Sequence, residues 1–406
     1  MLYTYRAVDQ SGKTVSGERE AGSERELADM LRHDSYLLLE AKLPAKAGQR
    51  FEFLKRIPMP FRRISLVERM GFSRNLAVMI GAGLALTRAL EALAEQTSNP
   101  KFREIVTSIR DSVTTGKSFA DSLRSHEKVF GVLFINMVEA GEISGNLERA
   151  LKILAQQMKR DYDLRSKVRS AMIYPAIVVG ALVLIGVLMM VYVVPTLTQT
   201  FQELEIELPL TTRVIIGTSN FLLRYYWYIL AVAGIGAMGM ARLLRSQAGK
   251  SAFDTIILRV PIFGVLVQKY NSARFARTLS SLIASGIPIT RALEVTASVL
   301  GNSHFRQSFE EAAKEIQHGK PISEILRRHP NLFPPMVTQM VEVGEETGTI
   351  VRMLLRLALF YEEEVTNTTK NLSSIIEPVL MIVIGAIVGF FAVSMIQPIY
   401  GSLGNI

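Results

Sequence analysis

The segment Met137-Val138-Glu139-Ala140-Gly141-Glu142-Ile143-Ser144-Gly145 returns as Met340-Val341-Glu342-Val343-Gly344-Glu345-Glu346-Thr347-Gly348. The offset is 340 − 137 = 203, and it holds without a gap from 72–175 to 275–378. Phe72-Ser73-Arg74-Asn75-Leu76 meets Phe275-Ala276-Arg277-Thr278-Leu279, Thr87-Arg88-Ala89-Leu90-Glu91 meets Thr290-Arg291-Ala292-Leu293-Glu294, and Pro175 meets Pro378. Self-similarity of this length marks a duplicated domain. In the first copy apolar residues recur at three-to-four spacing over 66–82, 86–98, 101–115, 118–126, 131–140 and 145–172, which predicts helices only. Breaks fall at Gly83, Asn99-Pro100, Gly116, His126–Phe130 and Gly141–Gly145, all turn chemistry. Short loops make antiparallel neighbours, so each copy reads as a compact six-helix bundle.

Outward from the repeat the chain turns apolar. Ser170–Gln202, Tyr225–Ala241 and Pro378–Ile406 carry no charge, and about 20 apolar residues suffice to cross a bilayer. The second stretch is short unless Phe221–Leu223 joins it and Arg224 snorkels, and a buried core helix is its alternative reading. Its aromatic cluster suits a membrane interface. Ala233, Ala237 and Ala241, with Gly385 and Gly389, sit at spacings that let helices approach closely in lipid. Lys159, Arg160, Arg165, Lys167 and Arg169 precede the first span; Arg242, Arg245, Lys250 and Arg259 follow the second. The connecting stretch 198–223 holds Arg213 with Glu203, Glu205 and Glu207. The positive-inside rule then places both bundles in the cytoplasm and the C-terminus outside.

The whole chain of 406 residues carries 46 Lys+Arg against 37 Asp+Glu, a net charge of +9, with a positive mean hydropathy. Segregation reconciles the two, with charge in water and apolar spans in lipid. No cysteine is present, which excludes disulfides, thiolate metal sites and a thiol nucleophile. The start, Met1-Leu2-Tyr3-Thr4-Tyr5-Arg6, has no apolar run, so a cleaved signal peptide is not expected.

The expected fold class is a mainly α membrane protein with two homologous six-helix bundles, three transmembrane helices and a small N-terminal α+β module. The divisions are 1–43 (module), 44–65 (linker, with Pro44, Pro58 and Pro60), 66–172 (bundle 1), 173–197 (span 1), 198–221 (external loop), 222–241 (span 2), 242–268 (cytoplasmic linker), 269–375 (bundle 2), 376–398 (span 3) and 399–406 (external tail). In the module, Tyr3–Val8, Thr14–Glu20 and Tyr36–Ala41 alternate like strands, and Ser23 with Glu26 forms a helix-capping box.

Four features bear on chemistry. Ala7–Thr14 matches a relaxed phosphate-loop pattern, but a strand rather than a helix follows it, so a hairpin turn is the reading. The repeated Gly-Glu-x-Ser/Thr-Gly element reads as a helix–helix turn in which Gly141, Gly145, Gly344 and Gly348 supply unusual backbone angles. Ser144 or Thr347 would cap the next helix; the sharper reading is an ion or partner site on Glu142 and Glu345. The basic run before span one suits anionic headgroups. Glu362-Glu363-Glu364 stands where the first copy has Lys159-Arg160-Asp161, a solvated face or a docking surface on one copy only. No catalytic constellation appears, and intramembrane ionisable groups, which transporters need, are nearly absent.

The duplicated helical domain, the Gly-Glu turn, Pro175 and Pro378 at the starts of spans, Leu258-Arg259-Val260-Pro261-Ile262-Phe263-Gly264 and Phe333-Pro334-Pro335-Met336 together resemble a known family. It is the inner-membrane platform protein of type II secretion systems and type IV pili (the GspF/PilC family). The resemblance implies a non-enzymatic scaffold that engages a hexameric assembly ATPase and pilin or pseudopilin subunits, alongside other inner-membrane assembly proteins and lipids, as a homo-oligomer and without nucleic acid. It also implies, for some members, a calcium ion between helices of the first bundle, at positions matching Arg88, Glu142 and Asn146. Here Arg88 brings a cation where calcium requires oxygens, and a pair of Arg88 with Glu142 or Glu91 is expected instead. The competing classes are a small-molecule transporter or channel subunit and an ATPase.

Overall fold

The computed structural model describes residues 2–8, 14–34, 36–42, 64–203 and 208–403. The turn at 9–13, most of the linker at 44–63, Glu205 and Glu207, and the last tail residues 404–406 lie outside them. The chain divides into two units, Met1–Arg63 and Ile64–Ile406.

In the first unit, β1 (Leu2–Val8) lies between β2 (Thr14–Glu20) and β3 (Leu37–Lys42), antiparallel to both. Helix α1 (Glu24–His33) covers one face. Period-two alternation buries Tyr3 and Ala7 against Leu27 and Leu31, which are one turn apart. Ser23 Oγ accepts from the Glu26 amide at 3.3 Å, as the sequence predicts. The return bond lands one residue early, from the Gly22 amide to Glu26 Oε2 at 2.7 Å.

The second unit opens with α2 (Leu66–Gly81), α3 (Leu86–Gln96), α4 (Pro100–Thr114), α5 (Phe119–Arg124), α6 (Glu127–Phe130), α7 (Val132–Ile143) and α8 (Leu147–Leu188). A reciprocal Ser65–Glu68 capping box starts α2, and Asn99 caps α4 with Pro100 in its first turn. Two expected breaks are filled. Residues 127–130 make a short helix, and α7 continues through Gly141 and Glu142. From α8 the chain passes through a π-helical turn, Met189–Val193, into α9 (Val194–Glu203). Pro195 lacks the amide that an α-helix needs there, and a widened turn just before it absorbs the lost bond.

Helix α10 (Leu210–Leu243) follows, then α11 (Gln247–Arg259), α12 (Pro261–Ala284), α13 (Ile289–Val299), α14 (Ser303–Glu315), α15 (Ile322–Arg327), α16 (Pro335–Glu346) and α17 (Ile350–Leu403). Residues 198–221, expected as a loop, are thus largely helical. So is the expected linker at 242–268, where α11 and α12 meet at a 110° bend. Asp254 of α11 accepts from the amide and hydroxyl of Ser303 at 2.7 and 2.8 Å, which seats α11 on the start of α14.

The duplication is visible ring by ring. Phe72, Phe102 and Phe130 cluster at 5.6–6.1 Å between centroids; at +203, Phe275, Phe305 and Phe333 repeat the nest, with Phe275–Phe333 at 5.8 Å and Phe305–Phe333 at 5.2 Å. One continuous apolar cluster runs through both copies.

Three helical stretches are long and apolar enough to cross a membrane: Leu147–Glu203, Leu210–Leu243 and Ile350–Pro398. The most apolar window of the second is 0% buried, which disposes of the core-helix alternative, because such a surface needs lipid around it. The spans touch through hydroxyls: Thr212 donates to the Ser394 carbonyl and Ser219 to that of Met190. Val194, Phe201, Ile215 and Met395 pack beside them. Within the chain the small-residue stripes are not where helices meet. Ala233, Ala237 and Ala241 are exposed, and nothing lies within 4 Å of a Cβ built on Gly385 or Gly389. The aromatic cluster, at the start of the uncharged stretch, lies midway along α10, and the backbone kinks there at Tyr225.

Candidate functional site

The repeated Gly-Glu element has the same geometry twice, and it is not a simple turn. Glu142, near the end of α7, reaches back to the start of α5. Its Oε1 and Oε2 accept from the amides of Phe119 and Ala120 at 2.7 and 3.0 Å. Glu345 does the same at α15, accepting from Ile322 and Ser323 at 2.6 and 3.0 Å. The first amides of a helix have no partner within it and carry the positive end of its dipole, so a carboxylate there is strongly held. A matched ion pair flanks each contact, Arg124–Glu139 and Arg327–Glu342, both at 2.6 Å.

The glycines divide the work. Gly145 and Gly348 have φ of 68° and 64° and turn the chain as expected. Gly141 and Gly344 lie inside helices and serve close approach instead. A Cβ on Gly141 would stand 2.5 Å from that of Ala150, and one on Gly344 would stand 3.0 Å from Ile350 Cα. Ser144 and Thr347 do not cap the following helices, as the sequence suggested. They end α7 and α16, and their hydroxyls donate backward to Gly141 O and Val343 O.

The expected pairing of Arg88 is not formed. Arg88 has no ion pair or hydrogen bond among the described residues, because Glu142 is committed to the α5 amides. Its counterpart Arg291 does pair one turn along, with Glu294 at 2.7 Å, and also reaches Asn136 of the first copy at 3.1 Å. Asn146 donates to the Ser144 carbonyl at 3.3 Å. No hydrogen bond or ion pair joins the three positions among the described residues, and among those residues no group of three or more His, Cys, Asp or Glu could hold a metal ion.

Glu362 and Glu364 are not a free acidic face. Glu362 is paired with Arg277 at 2.8 Å and Glu364 with Lys269 at 2.7 Å, tying α17 to α12 within the second copy. Tyr361 beside them is buried, and burial together with the Glu364 charge pushes its hydroxyl up to about 12.

Sequence reasoning missed the junction between the copies. The amide of Gln157, on α8, donates to Thr278 at 3.0 Å and accepts from Ser281 at 3.3 Å, both on α12. Asp161 bridges Arg165 at 2.8 Å and Arg274 at 2.9 Å. Lys167 donates to Thr366 at 2.9 Å. A cavity of about 350 Å³ lies here, lined by Arg69, Asp161, Arg165 and Arg274 among others. Burial and then the Arg165 charge hold the Arg69 guanidinium below its usual range, with Asp161 opposing. A faint signal existed: Arg274 replaces Gly71 at the matched position, a charge gained on a helix face that is otherwise buried.

A duplicated helical domain whose last helices continue as apolar spans defines an integral membrane protein. The duplication has a known counterpart. The model of the family "Type II secretion system (T2SS), protein F" matches twice, at 72–195 and 275–398, and that of its N-terminal domain matches 1–42. The chain belongs to this family. It is 39% identical over 405 residues to the "Type IV pilus assembly protein PilC" of Thermus thermophilus, covering 100% of this chain and 99% of the relative. It is 36% identical over 395 residues to the protein of the same name from Myxococcus xanthus, covering 97% and 94%. It is 32% identical over 402 residues to the "Type II secretion system protein F" of Xanthomonas campestris, covering 98% of each chain.

Proposed function

We propose that this protein is a non-catalytic platform in the inner membrane that couples a cytoplasmic assembly ATPase to the building of a type IV pilus or a type II secretion pseudopilus. The observation that carries the reading is the pair of unbroken helices, α8 of 42 residues and α17 of 54, each beginning in a bundle and ending as a span. They keep helical geometry through Pro175 and Pro378, so a push on either bundle reaches lipid without a joint. The hexameric ATPase engages the bundles, and pilin or pseudopilin subunits meet the spans. The bundles lie in the cytoplasm and the C-terminus outside, as the Lys/Arg bias requires.

A Gly-Ser segment inserted after Ser170 tests the coupling. Filament assembly is lost while membrane insertion and co-purification of the ATPase persist; normal assembly refutes the reading. Topology is read separately on this cysteine-free chain. Ser246→Cys is protected from an impermeant thiol reagent outside and Thr211→Cys reacts; the reverse pattern refutes the orientation.

A further inference from the structure

The beginning of the first span, on α8, lies beside the α11–α12 corner that follows the second, with Val168 and Met172 sharing a cavity wall with Ile257, Phe263 and Leu266. Met172 immediately precedes Ile173, where the first apolar core begins, and α11 starts four residues after α10 ends. Between them lies a cavity of about 390 Å³ with almost wholly apolar walls, including Val168, Met172, Phe263 and Leu266. Arg165, Arg169 and Tyr270 line it too. Ligand sites typically measure about 300–1,000 Å³, so the slot has room for part of one acyl chain.

Its neighbours suit the headgroup level of a membrane. The α11–α12 corner exposes Phe253, Ile256, Val260, Ile262 and Val265, an apolar face directly after a span, which suits a helix lying in the headgroup layer. Charge is not balanced locally. Asp161 is shared by Arg165 and Arg274, and Arg169 has no ion pair or hydrogen bond among the described residues. Water fills such apolar walls poorly, and a soluble anion would leave them bare. A molecule with one long apolar tail and a negative head satisfies both halves.

We propose that this slot binds one anionic phospholipid per chain, with its phosphate on Arg165 and Arg169 and an acyl chain against Val168, Met172, Phe263 and Leu266. The inference needs membrane insertion only, not the platform role. A lipid seated here wedges between α8 and the α11–α12 corner, making the bundle's hold on its span sensitive to lipid composition.

Native mass spectrometry of the full-length protein in detergent tests it, with equimolar phosphatidylglycerol and phosphatidylcholine of matched chains. One phosphatidylglycerol is retained per chain, favoured by about tenfold or more. Arg169→Gln lowers retention about fivefold, as expected for one cation at an anionic surface, and Leu266→Trp blocks the slot while leaving both arginines. Arg242→Gln with Arg245→Gln, charges near the same face but outside the slot, leaves retention unchanged. Equal retention of the two lipids, full retention in Leu266→Trp, or an equal loss in the Arg242/Arg245 control overturns the proposal. Displacement of the lipid by inorganic phosphate alone also overturns it, by revealing a simple anion site.

Discussion

Replacing Glu345 with alanine should cost more than replacing Glu142. Both carboxylates accept two backbone amides at almost the same distances, so the direct loss is equal. Their surroundings differ. At α5 the N-cap is Ser118, whose hydroxyl also accepts from the Asp121 amide at 3.0 Å. At α15 the N-cap is Pro321, which offers no side-chain acceptor. Losing a helix cap costs about 0.5–2 kcal/mol, and a hydrogen bond to a charged group is worth about 1.5–3 kcal/mol. For a partly buried carboxylate with some water access, Glu345→Ala should destabilise the α15 start by about 2–3 kcal/mol. Glu142→Ala should cost about 1–2 kcal/mol, because Ser118 still holds the first turn. The assay is amide hydrogen exchange on the full chain in detergent, which reads local opening without a two-state global transition. At 1.36 kcal/mol per tenfold, exchange around Ile322 and Ser323 should speed up by about thirtyfold or more, and around Phe119 and Ala120 by about tenfold. Ser118→Ala added to Glu142→Ala should bring the two sites level. Equal acceleration in the single variants, or none, would refute the reasoning.

Three further outcomes are expected. Gly141→Ala forces a methyl to within 2.5 Å of Ala150 Cβ and should destabilise the α7–α8 corner by about 1–3 kcal/mol, seen as faster exchange along α7; unchanged exchange would mean that the corner relaxes freely. Asp161→Asn removes the carboxylate that pairs Arg165 and Arg274 beside Arg69, and should cost about 3 kcal/mol, read as weakened protection of the α8–α12 contact. Tyr361 is held protonated in the fold, up to about 12 against an ordinary value of 10.0. Its contribution is therefore present below pH 10 and lost as pH rises from 10 to 12, at most about 2–3 kcal/mol. Tyr361→Phe should flatten that part of the alkaline stability curve, and an identical curve in both proteins would show that the hydroxyl is not buried as described.

Much of the fold was written in the 203-residue offset, because a duplicated pattern of apolar spacing doubles the evidence for every helix. The first and third spans followed from charge-free length alone, while the second was too short for that. What stayed hidden depends on partners distant in sequence. Nothing local tells that Glu142 caps a helix 23 residues earlier, or that Gly141 is small for the sake of Ala150. The charge of Glu362 looked free because Arg277 stands 85 residues away. The π turn before Pro195 was missed for another reason, since apolar composition reports burial in lipid and says little about backbone register.

The shared core also dictates an order of assembly. Gln157 and Thr278 touch although 121 residues and two membrane crossings separate them. During synthesis the first copy emerges with that face of α8 bare, and its partner surface does not yet exist. The junction closes only after the chain has crossed the bilayer and returned. Until then Gln157 and the apolar side chains around it must stay in water or be shielded by a chaperone. Insertion of the first two spans is thus a step in folding the water-exposed half of the molecule, and a delay there exposes the first copy to aggregation.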